Sequence, residues 1–293
     1  MMIGVARITV VYKGLKSNYW PLIKSLQTSL LLCTGIAGYL SFHPVKVDIW
    51  EIFGLLGSMF FAISGSTIFN MWYDRDIDAI MVRTCNRPLA AQRISPHNAF
   101  VLAIIMSMMG IGEAFILSPL YGSLIFAGWF FDVFVYTLWL KRRTSWSILW
   151  GGVSGGIPIL AGRALATGHL DLIGITLLLA VLFWIPTHIL TLSMKYQEDY
   201  VNAHIPTLPV SYGVRTTQVI VAIASVLASV AMGMAAYWVG STAGALHVLV
   251  VLGVGMLVLA LSSIFRPSQK LNFSLFKYAS LYMFGAMILL VFH

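Results

Sequence analysis

Charged residues are scarce in this chain of 293 residues, since only 10% are Asp, Glu, Lys or Arg. A soluble globular domain carries roughly 25% charged residues, whereas 59% of this sequence is hydrophobic. Water is therefore the wrong solvent for most of the surface, which excludes an ordinary soluble domain. No polar block is long enough to fold separately, so we expect a single membrane-embedded domain over residues 1–293.

Cysteine is nearly absent too, because Cys33 and Cys85 are the only two. Their separation fits neither a disulfide framework nor the paired spacing of a zinc site. Strand-like alternation is also lacking, and the apolar runs are too long for the strands of a transmembrane barrel. The basic N-terminal stretch lacks a signal-peptide cleavage site, so we do not expect it to be removed. These absences exclude a disulfide-stabilised secreted domain and an outer-membrane barrel.

Long apolar runs are abundant instead. A membrane-spanning helix needs about 20 mostly apolar residues, and nine stretches of this sequence satisfy that requirement. We therefore predict an all-α polytopic bundle of nine transmembrane helices. The predicted spans are 22–42, 49–70, 97–117, 121–140, 146–166, 172–194, 217–239, 244–265 and 273–292.

The basic residues predict the orientation of this bundle. If the N-terminus is inside, all of the 18 Lys and Arg residues except Lys46 and Arg163 fall on the inner side, as the positive-inside rule requires. The net charge of +8 then needs no nucleic-acid partner, because anionic lipid headgroups face that rim. The long, charged connections lie on the same side. We therefore expect an integral protein of a prokaryotic plasma membrane with a cytoplasmic active site.

The strongest chemical signal is the acidic stretch that follows the second predicted helix. Asn70, Asp74 and Asp78 are spaced four residues apart, so they share one face of a helix. Two carboxylates and one amide oxygen form an oxygen-rich site that suits Mg²⁺ bridged to substrate phosphate oxygens. Asp76 points away from that face and is expected at the rim. The alternative is a solvated acidic helix end without a function.

Basic residues near these acids predict a diphosphate-binding site. Arg83 and Arg87 follow the acidic stretch, and Lys141 and Arg142 end the fourth predicted helix. Arginine presents a planar fork of donors to phosphate, and lysine presents a point charge. The acids can hold Mg²⁺ and the basic residues can bind the phosphate groups that Mg²⁺ bridges. This combination favours a diphosphate-binding site over a solvated helix end without a function.

A second group of polar residues lies at the end of the sixth predicted helix. If that helix continues, His188, Lys195 and Asp199 share one face, and Glu198 lies beside them. His188 lies within an apolar run, where it is either a hydrogen-bonded core residue or a functional group, and the sequence leaves both roles open. A neutral imidazole there can bind iron. Asp132, within the fourth span, is either a helix–helix contact or part of a reaction cavity.

Six segments follow one another in a recognisable order: NMWYDRDIDAIMVRTCNRPL (70–89), YTLWLKRRT (136–144), GGVSGGIP (151–158), KYQEDY (195–200), IPTLPV (205–210) and NFSLFKYASLY (272–282). Taken together they resemble the UbiA superfamily of intramembrane prenyltransferases over residues 20–290, and in particular its haem-farnesylating branch. Other UbiA enzymes usually have aspartate where this chain has Lys195, which favours the haem branch over a quinone-type enzyme.

The resemblance implies an enzyme that transfers a farnesyl group from farnesyl diphosphate to a vinyl group of protohaem IX, with addition of water, for respiratory oxidases. It implies Mg²⁺ as the cofactor, with Glu198 or Asp199 assisting a second ion. It also implies transient contact with a haem A synthase or oxidase assembly factors. The implied catalytic residues are Asn70, Asp74, Asp78, Lys195 and Asp199, and the candidates for contact with the haem are His188, Tyr136 and Asp132.

Two alternatives remain open from the sequence. A UbiA-type transferase with a quinone-ring or lipid acceptor is kept open by departures from the haem branch at residues 145–147 and Thr187. A membrane transporter would also carry acids within its spans. That second class predicts inverted repeats with broken helices at the midplane, and the sequence shows no paired Gly- or Pro-interrupted spans.

Overall fold

The computed structural model describes residues 18–44 and 47–292, and within them the regular structure is entirely helical. The predicted all-α class is therefore confirmed. Arg7, Lys13, Lys16 and Lys46, which contribute to the predicted charge asymmetry, lie outside the described residues. The helices are α1 Ser25–Leu40, α2 Ile49–Tyr73, α3 Arg75–Ile80, α4 Pro96–Leu117, α5 Pro119–Phe130, α6 Ser147–Thr167, α7 Leu172–Lys195, α8 Gln197–Asn202, α9 Leu208–Val239, α10 Ala243–Phe265 and α11 Gln269–Val291.

Eight of the described helices are long and apolar enough to cross a membrane. Their bounds lie within a few residues of eight predicted spans, except that α9 begins earlier. The remaining predicted span, 22–42, corresponds to α1, which has 16 residues. At 1.5 Å per residue α1 is about 24 Å long, less than the ~30 Å hydrocarbon core. The count of nine spans and the inside N-terminus therefore stay predictions.

Two backbone breaks explain where helix bounds differ from the predicted spans. Lys24 adopts the left-handed conformation (φ 44°) between a 3₁₀ turn, Trp20–Ile23, and α1. Gly213 interrupts α9 with φ 80°, a conformation that glycine adopts without strain. The apolar part of α9 that follows Gly213 corresponds to the span predicted from Thr217.

Glycine lets α1 and α6 pack closely against each other. A Cβ atom on Gly162 would lie 2.0 Å from the Gly35 carbonyl oxygen. One on Gly38 would lie 2.0 Å from the Ile159 carbonyl oxygen. Because both contacts are with backbone, no side-chain rotation could relieve them. Small residues are a usual means of close helix approach in membranes, and here they fix α6 beside α1.

Successive long helices alternate in direction, so their connections gather at two ends of the bundle. We call one the site end; it includes residues 74–95, 141–146 and 196–207. At the opposite end, the buried Arg163 donates to both carboxylate oxygens of Asp171 at 2.9 and 2.8 Å. It also donates to the backbone oxygen and hydroxyl of Ser41 at 3.0 Å each. This ion pair joins α1, α6 and α7 far from the site end.

Candidate active site

The acidic stripe, Asn70, Asp74 and Asp78, stays on one face although the helix is interrupted within it. α2 ends at Tyr73 and α3 begins at Arg75. The Asp74 amide nevertheless donates to the Asn70 carbonyl at 2.9 Å, and the Asp78 amide to the Asp74 carbonyl at 2.8 Å. These bonds carry the helical register across the break. All three side chains are buried, so this is not a solvated helix end.

Asp74 is fully buried between two cations. Lys141 donates to its Oδ2, and an Arg142 guanidinium nitrogen lies 3.5 Å from its Oδ1. Burial opposes a charge on Lys141, but Tyr136 and Asp74 raise the pKa of Lys141 above its ordinary value. Among the described residues, Asp74 Oδ1 accepts no hydrogen bond. Such an atom is uncommon in a protein interior, and it leaves Asp74 free to bind a further cation.

Asp78 is held by the loop that follows α3. Arg87 Nη1 donates to both Asp78 carboxylate oxygens at 2.9 and 2.7 Å. Thr84 Oγ1 donates to the Asp78 backbone oxygen at 3.1 Å. The loop therefore folds back over the acidic stripe, and Arg87 becomes a direct partner of an acid nine residues earlier in the chain.

Asp76 lies at the rim of the site, as expected. Its side chain is 60% exposed. The Arg142 guanidinium binds it through two hydrogen bonds of 2.8 and 2.7 Å. These bonds lower the pKa of the Asp76 carboxyl below its ordinary value. Arg142 thus contacts the exposed Asp76 and the buried Asp74 at once.

The helix that contains Asp132 changes type at the site end. α5 continues as a π-helix, Phe131–Leu140. Its Thr137 accepts a hydrogen bond from Asn70 Nδ2 at 3.0 Å and donates to the Asp132 backbone oxygen at 2.7 Å. Because the Asn70 nitrogen is engaged, its amide oxygen is the atom left to bind a ligand. π turns recur at functional sites, and apolar periodicity did not predict this one.

The second polar group does not lie on one continuous helix. α7 ends at Lys195, and Tyr196 leaves helical geometry (φ −109°, ψ 31°) before α8 begins. The helix does not continue, so the condition under which His188, Lys195 and Asp199 would share one face is not met. The break directs Asp199 towards the loop after α3 and leaves Lys195 at the end of α7.

Asp199 connects the two motifs through backbone contacts. It is buried, and its two oxygens accept hydrogen bonds from the Val82 and Arg83 backbone amides at 3.3 and 3.2 Å. The Arg83 guanidinium donates to the Tyr200 hydroxyl at 3.4 Å. Glu198 is exposed next to this contact. Asp199 thus fixes the loop that carries Arg83 and Arg87 over the acidic stripe.

The three residues predicted to contact the acceptor occupy two regions. Asp132 lies within electrostatic range of Asp74 and Lys141. The Tyr136 ring centroid lies 5.7 Å from Lys141 Nζ. Both candidates therefore border the acidic stripe. His188 lies seven residues before the end of α7, between two aromatic rings, and belongs to a separate region towards α11.

Lys24 is a site residue that sequence reasoning assigned only to the basic rim. Its ammonium lies within electrostatic range of Arg87, Lys141, Asp132 and Asp78. Burial, together with the positive charges of Arg87 and Lys141, lowers the pKa of Lys24 to about 7. The side chain therefore changes charge near neutral pH beside the acidic stripe. Its sequence position, three residues after a proline, carried no signal of this.

The donor atoms of the acidic stripe fit a hard divalent cation. Across residues 18–44 and 47–292, no cluster of three or more His, Cys, Asp or Glu side chains is placed to hold a metal ion. The stripe has two carboxylates and an amide, so a cation there would need further oxygen ligands. Mg²⁺ ordinarily takes these from water and substrate phosphates. Asp74 Oδ1, which accepts no hydrogen bond among the described residues, and the all-oxygen donor set agree with such an ion.

Comparison with known proteins places this site in a family context. Residues 31–287 match the UbiA prenyltransferase family. The protoheme IX farnesyltransferase of Pyrobaculum arsenaticum is 40% identical over 220 residues, which cover 75% of this chain and 78% of that protein.

Two solved structures share the fold. One, from work on a digeranylgeranylglyceryl phosphate synthase, has a TM-score of 0.79 at 18% identity and covers 95% of this chain and 98% of its own. The other is a UbiA homologue from Archaeoglobus fulgidus bound to GPP and Mg²⁺. Its TM-score is 0.67 at 14% identity, and the match covers 93% of this chain and 99% of the homologue's chain.

Proposed function

The chain belongs to the UbiA prenyltransferase family, and we propose that it transfers a farnesyl group from farnesyl diphosphate to a vinyl group of protohaem IX, with addition of water, to give haem O. The observation that carries this proposal is the buried contact of Asp74 with Lys141 and Arg142, next to the Asp78–Arg87 pair. Carboxylates and cations concentrated at one end of an apolar bundle suit a metal-bound diphosphate with an apolar tail. The Pyrobaculum relative supports the haem acceptor.

Asn70, Asp74 and Asp78 would hold Mg²⁺ at the donor site. When bound, Mg²⁺ supplies positive charge that neutralises the diphosphate as it leaves. The Archaeoglobus homologue with bound GPP and Mg²⁺ supports this assignment. Glu198 and Asp199 would assist a second ion at the edge of the site.

Four cations would stabilise the leaving group. As the bond between farnesyl C1 and oxygen breaks, negative charge accumulates on the diphosphate, and donors already in place stabilise that charge most effectively. Lys141, Arg142 and Arg87 are paired with carboxylates of the acidic stripe, so they can shift to phosphate oxygens without moving far. Arg83, whose guanidinium donates to the Tyr200 hydroxyl and lies over the Tyr196 ring, would complete the set.

The remaining chemistry needs shelter from bulk water. The terminal vinyl carbon forms a bond to farnesyl C1, and the positive charge moves to the vinyl carbon next to the porphyrin. Water then adds to that carbon and loses a proton. The apolar spans protect the allylic farnesyl cation from premature hydrolysis. Asp132 and Tyr136, beside the acidic stripe, would contact the reacting vinyl group, and His188 would orient the haem.

The cellular setting follows from the same proposal. The protein would lie in a prokaryotic plasma membrane with the site end facing the cytoplasm, where polar diphosphate is available. Its apolar product would pass to a haem A synthase or an oxidase assembly factor through transient contact. Lys195 would act on the acceptor side of the site rather than as a ligand of the metal.

The nearest rival reaction uses another acceptor. The purified protein would be incubated with farnesyl diphosphate and Mg²⁺ together with haem B, an aromatic hydroxy acid or a glycerol phosphate lipid in separate reactions. Diphosphate release and product mass would be measured in each. We expect release only with haem B, and a haem that has gained a farnesyl group and water. A prenylated acid or lipid would overturn the acceptor assignment while leaving the family intact.

A further inference from the structure

A cleft lies between α9 and α10 at the site end of the bundle. α9 starts from this end and α10 returns to it, so residues 214–218 and 264–267 come together there. The cleft has a volume of about 380 Å³. None of its residues belongs to the acidic stripe or to the cations assigned to the diphosphate. The lining residues are Val214, Arg215, Gln218, Ile264, Phe265 and Pro267.

The cleft carries positive charge that no carboxylate of the protein neutralises. Arg215 lines it, and Arg266 lies between two other lining residues; both arginines are exposed. Asp199 is the last acidic residue of the sequence, so α9, α10 and α11 contain no Asp or Glu. An anion for Arg215 and Arg266 therefore has to come from a ligand. Across residues 18–44 and 47–292, the cations that form ion pairs are Arg87, Lys141, Arg142 and Arg163.

Aromatic residues beside the cleft indicate its depth in the membrane. Tyr212 precedes the break at Gly213, and its hydroxyl accepts a hydrogen bond from Trp146 Nε1 at 3.3 Å. Both rings are exposed, and exposed Trp and Tyr residues gather at the headgroup level of a bilayer. Ile264 and Phe265 add apolar surface to the same cleft. It therefore offers cations to a headgroup and apolar contacts to the chains attached to it.

We propose that this cleft binds the phosphate headgroup of an anionic membrane lipid, with Arg215 and Arg266 binding the phosphate oxygens. Basic pockets between spans on the cytoplasmic side are a recurrent kind of headgroup site, and the planar guanidinium matches phosphate geometry. Gln218, only 1% exposed, adds a buried polar side chain to the cleft. A free phosphate ion would satisfy the arginines but leave Ile264 and Phe265 in contact with water. A lipid satisfies both parts.

The cleft is connected to the helix that ends beside the donor site. Gln218 Nε2 donates to Asn272 Oδ1 at 3.4 Å, and Asn272 Nδ2 donates to Met194 Sδ at 4.0 Å. Met194 precedes Lys195, the last residue of α7. A lipid in the cleft would hold α9 and α10 together next to these contacts with α11 and α7. Because a ligand that binds only the native state stabilises it, the bound lipid is expected to stabilise the fold.

The charge contacts are tested on delipidated protein in neutral detergent, by native mass spectrometry during titration with phosphatidylglycerol or phosphatidylcholine. Wild-type protein is expected to bind the anionic phosphatidylglycerol more tightly than the zwitterionic lipid. Arg215→Gln and Arg266→Gln are each expected to weaken that binding about fivefold. Arg143→Gln removes an exposed arginine of the site end that does not line the cleft, so this matched control should bind as wild type does.

Two results of the titration would overturn the proposal. Equal affinity of wild-type protein for the two lipids would show that the cleft does not select an anionic headgroup. An equal loss of phosphatidylglycerol binding in Arg143→Gln and Arg215→Gln would show that general surface charge, rather than the cleft, attracts the lipid.

The shape of the site is tested without any change of charge. Val214→Trp fills the cleft with an indole ring and is expected to lose phosphatidylglycerol binding although both arginines remain. Val219→Trp places the same ring on an exposed part of α9 that does not line the cleft, and it should bind as wild type does. Unchanged binding in Val214→Trp overturns the cleft as the site.

The source of the phosphate is tested by competition. Inorganic phosphate, which has no apolar part, is expected to leave phosphatidylglycerol bound; displacement at equal concentration overturns the lipid as the occupant. Phosphatidylglycerol is also expected to raise the melting temperature of wild-type protein more than that of Arg215→Gln or Val214→Trp, and an equal rise in all three overturns the site. Melting without lipid identifies any variant that has lost its fold, and the other variants then decide. No measurement uses prenyl donor or haem, so the outcome is independent of the proposed function.

Discussion

Replacing Asp74 by asparagine, with Asp76→Asn as its control, separates a buried functional carboxylate from an exposed one two residues away. Both changes remove one negative charge, and both acids contact Arg142. They differ in burial, since the Asp74 side chain is fully buried and that of Asp76 is 60% exposed. They also differ in their other partner, because only Asp74 binds Lys141.

The expected magnitudes follow from that difference. Removing one partner of a buried ion pair costs about 3–5 kcal/mol of folding free energy, whereas an exposed pair contributes about 0–1 kcal/mol. For the reaction, losing one preorganised charge at the leaving group costs about 10²- to 10³-fold in kcat. We therefore expect Asp74→Asn to lose at least about 10²-fold in kcat. Asp76→Asn is expected to stay within about fivefold of wild type.

The assay is diphosphate release by purified protein in detergent, with thermal unfolding of the same samples. Comparing kcat of the folded fraction separates the loss of chemistry from the loss of stability. Turnover of folded Asp74→Asn within fivefold of wild type would refute the role of the acidic stripe. An equal loss in both variants would show that net charge, rather than the position of Asp74, governs the rate.

Three further changes test other parts of the molecule. Lys24→Gln is expected to flatten the pH dependence of the donor KM across neutral pH: with a pKa of about 7, wild-type Lys24 is cationic below pH 7 and loses its attraction for diphosphate above it. An equal pH dependence of the donor KM in Lys24→Gln and in wild type would contradict this. Gly162→Val is expected to lower the melting temperature in detergent, because even a Cβ atom would lie 2.0 Å from a carbonyl oxygen of α1 and overpacking costs about 1–3 kcal/mol or more. Gly112→Val, whose Cβ would meet nothing within 4 Å, is the control. Arg163→Ala leaves Asp171 without its ion-pair partner and is expected to cost about 3 kcal/mol of stability with unchanged kcat. Lost turnover at unchanged stability would contradict the purely structural role of that pair.

Much of the fold was predictable because the apolar runs end where the spans end. α4, α6 and α10 begin and end within one residue of their predicted bounds. Membrane spans are set mainly by composition over about 20 residues, which a single sequence displays directly. α1 was harder to place, because the left-handed Lys24 shortens it from within an apolar stretch.

The acidic stripe was predictable for the same local reason. Asn70, Asp74 and Asp78 are spaced at the helical period, and hydrogen bonds across Asp74 preserve that period. Asp199 was harder, because its partners are backbone amides of residues 82 and 83 on another segment. Side-chain chemistry in a sequence gives no indication of which backbone groups a distant segment will present.

Neither the partners of Lys24 nor the presence of the π-helix could be predicted from the sequence, for a related reason. Lys24 acquires its surroundings from four residues on three other segments. The π turns of 131–140 depend on tertiary contacts such as the Asn70–Thr137 hydrogen bond. Both features arise from packing between helices rather than from the order of residues within one.

The most direct test of the central claim is the mass of haem extracted after purified wild-type protein has reacted with haem B, farnesyl diphosphate and Mg²⁺ in isotopically labelled water. The predicted product is heavier by one farnesyl group and one water, and the added hydroxyl carries the label. Unmodified haem recovered with folded protein, whether or not the donor is consumed, would contradict haem farnesylation by this chain.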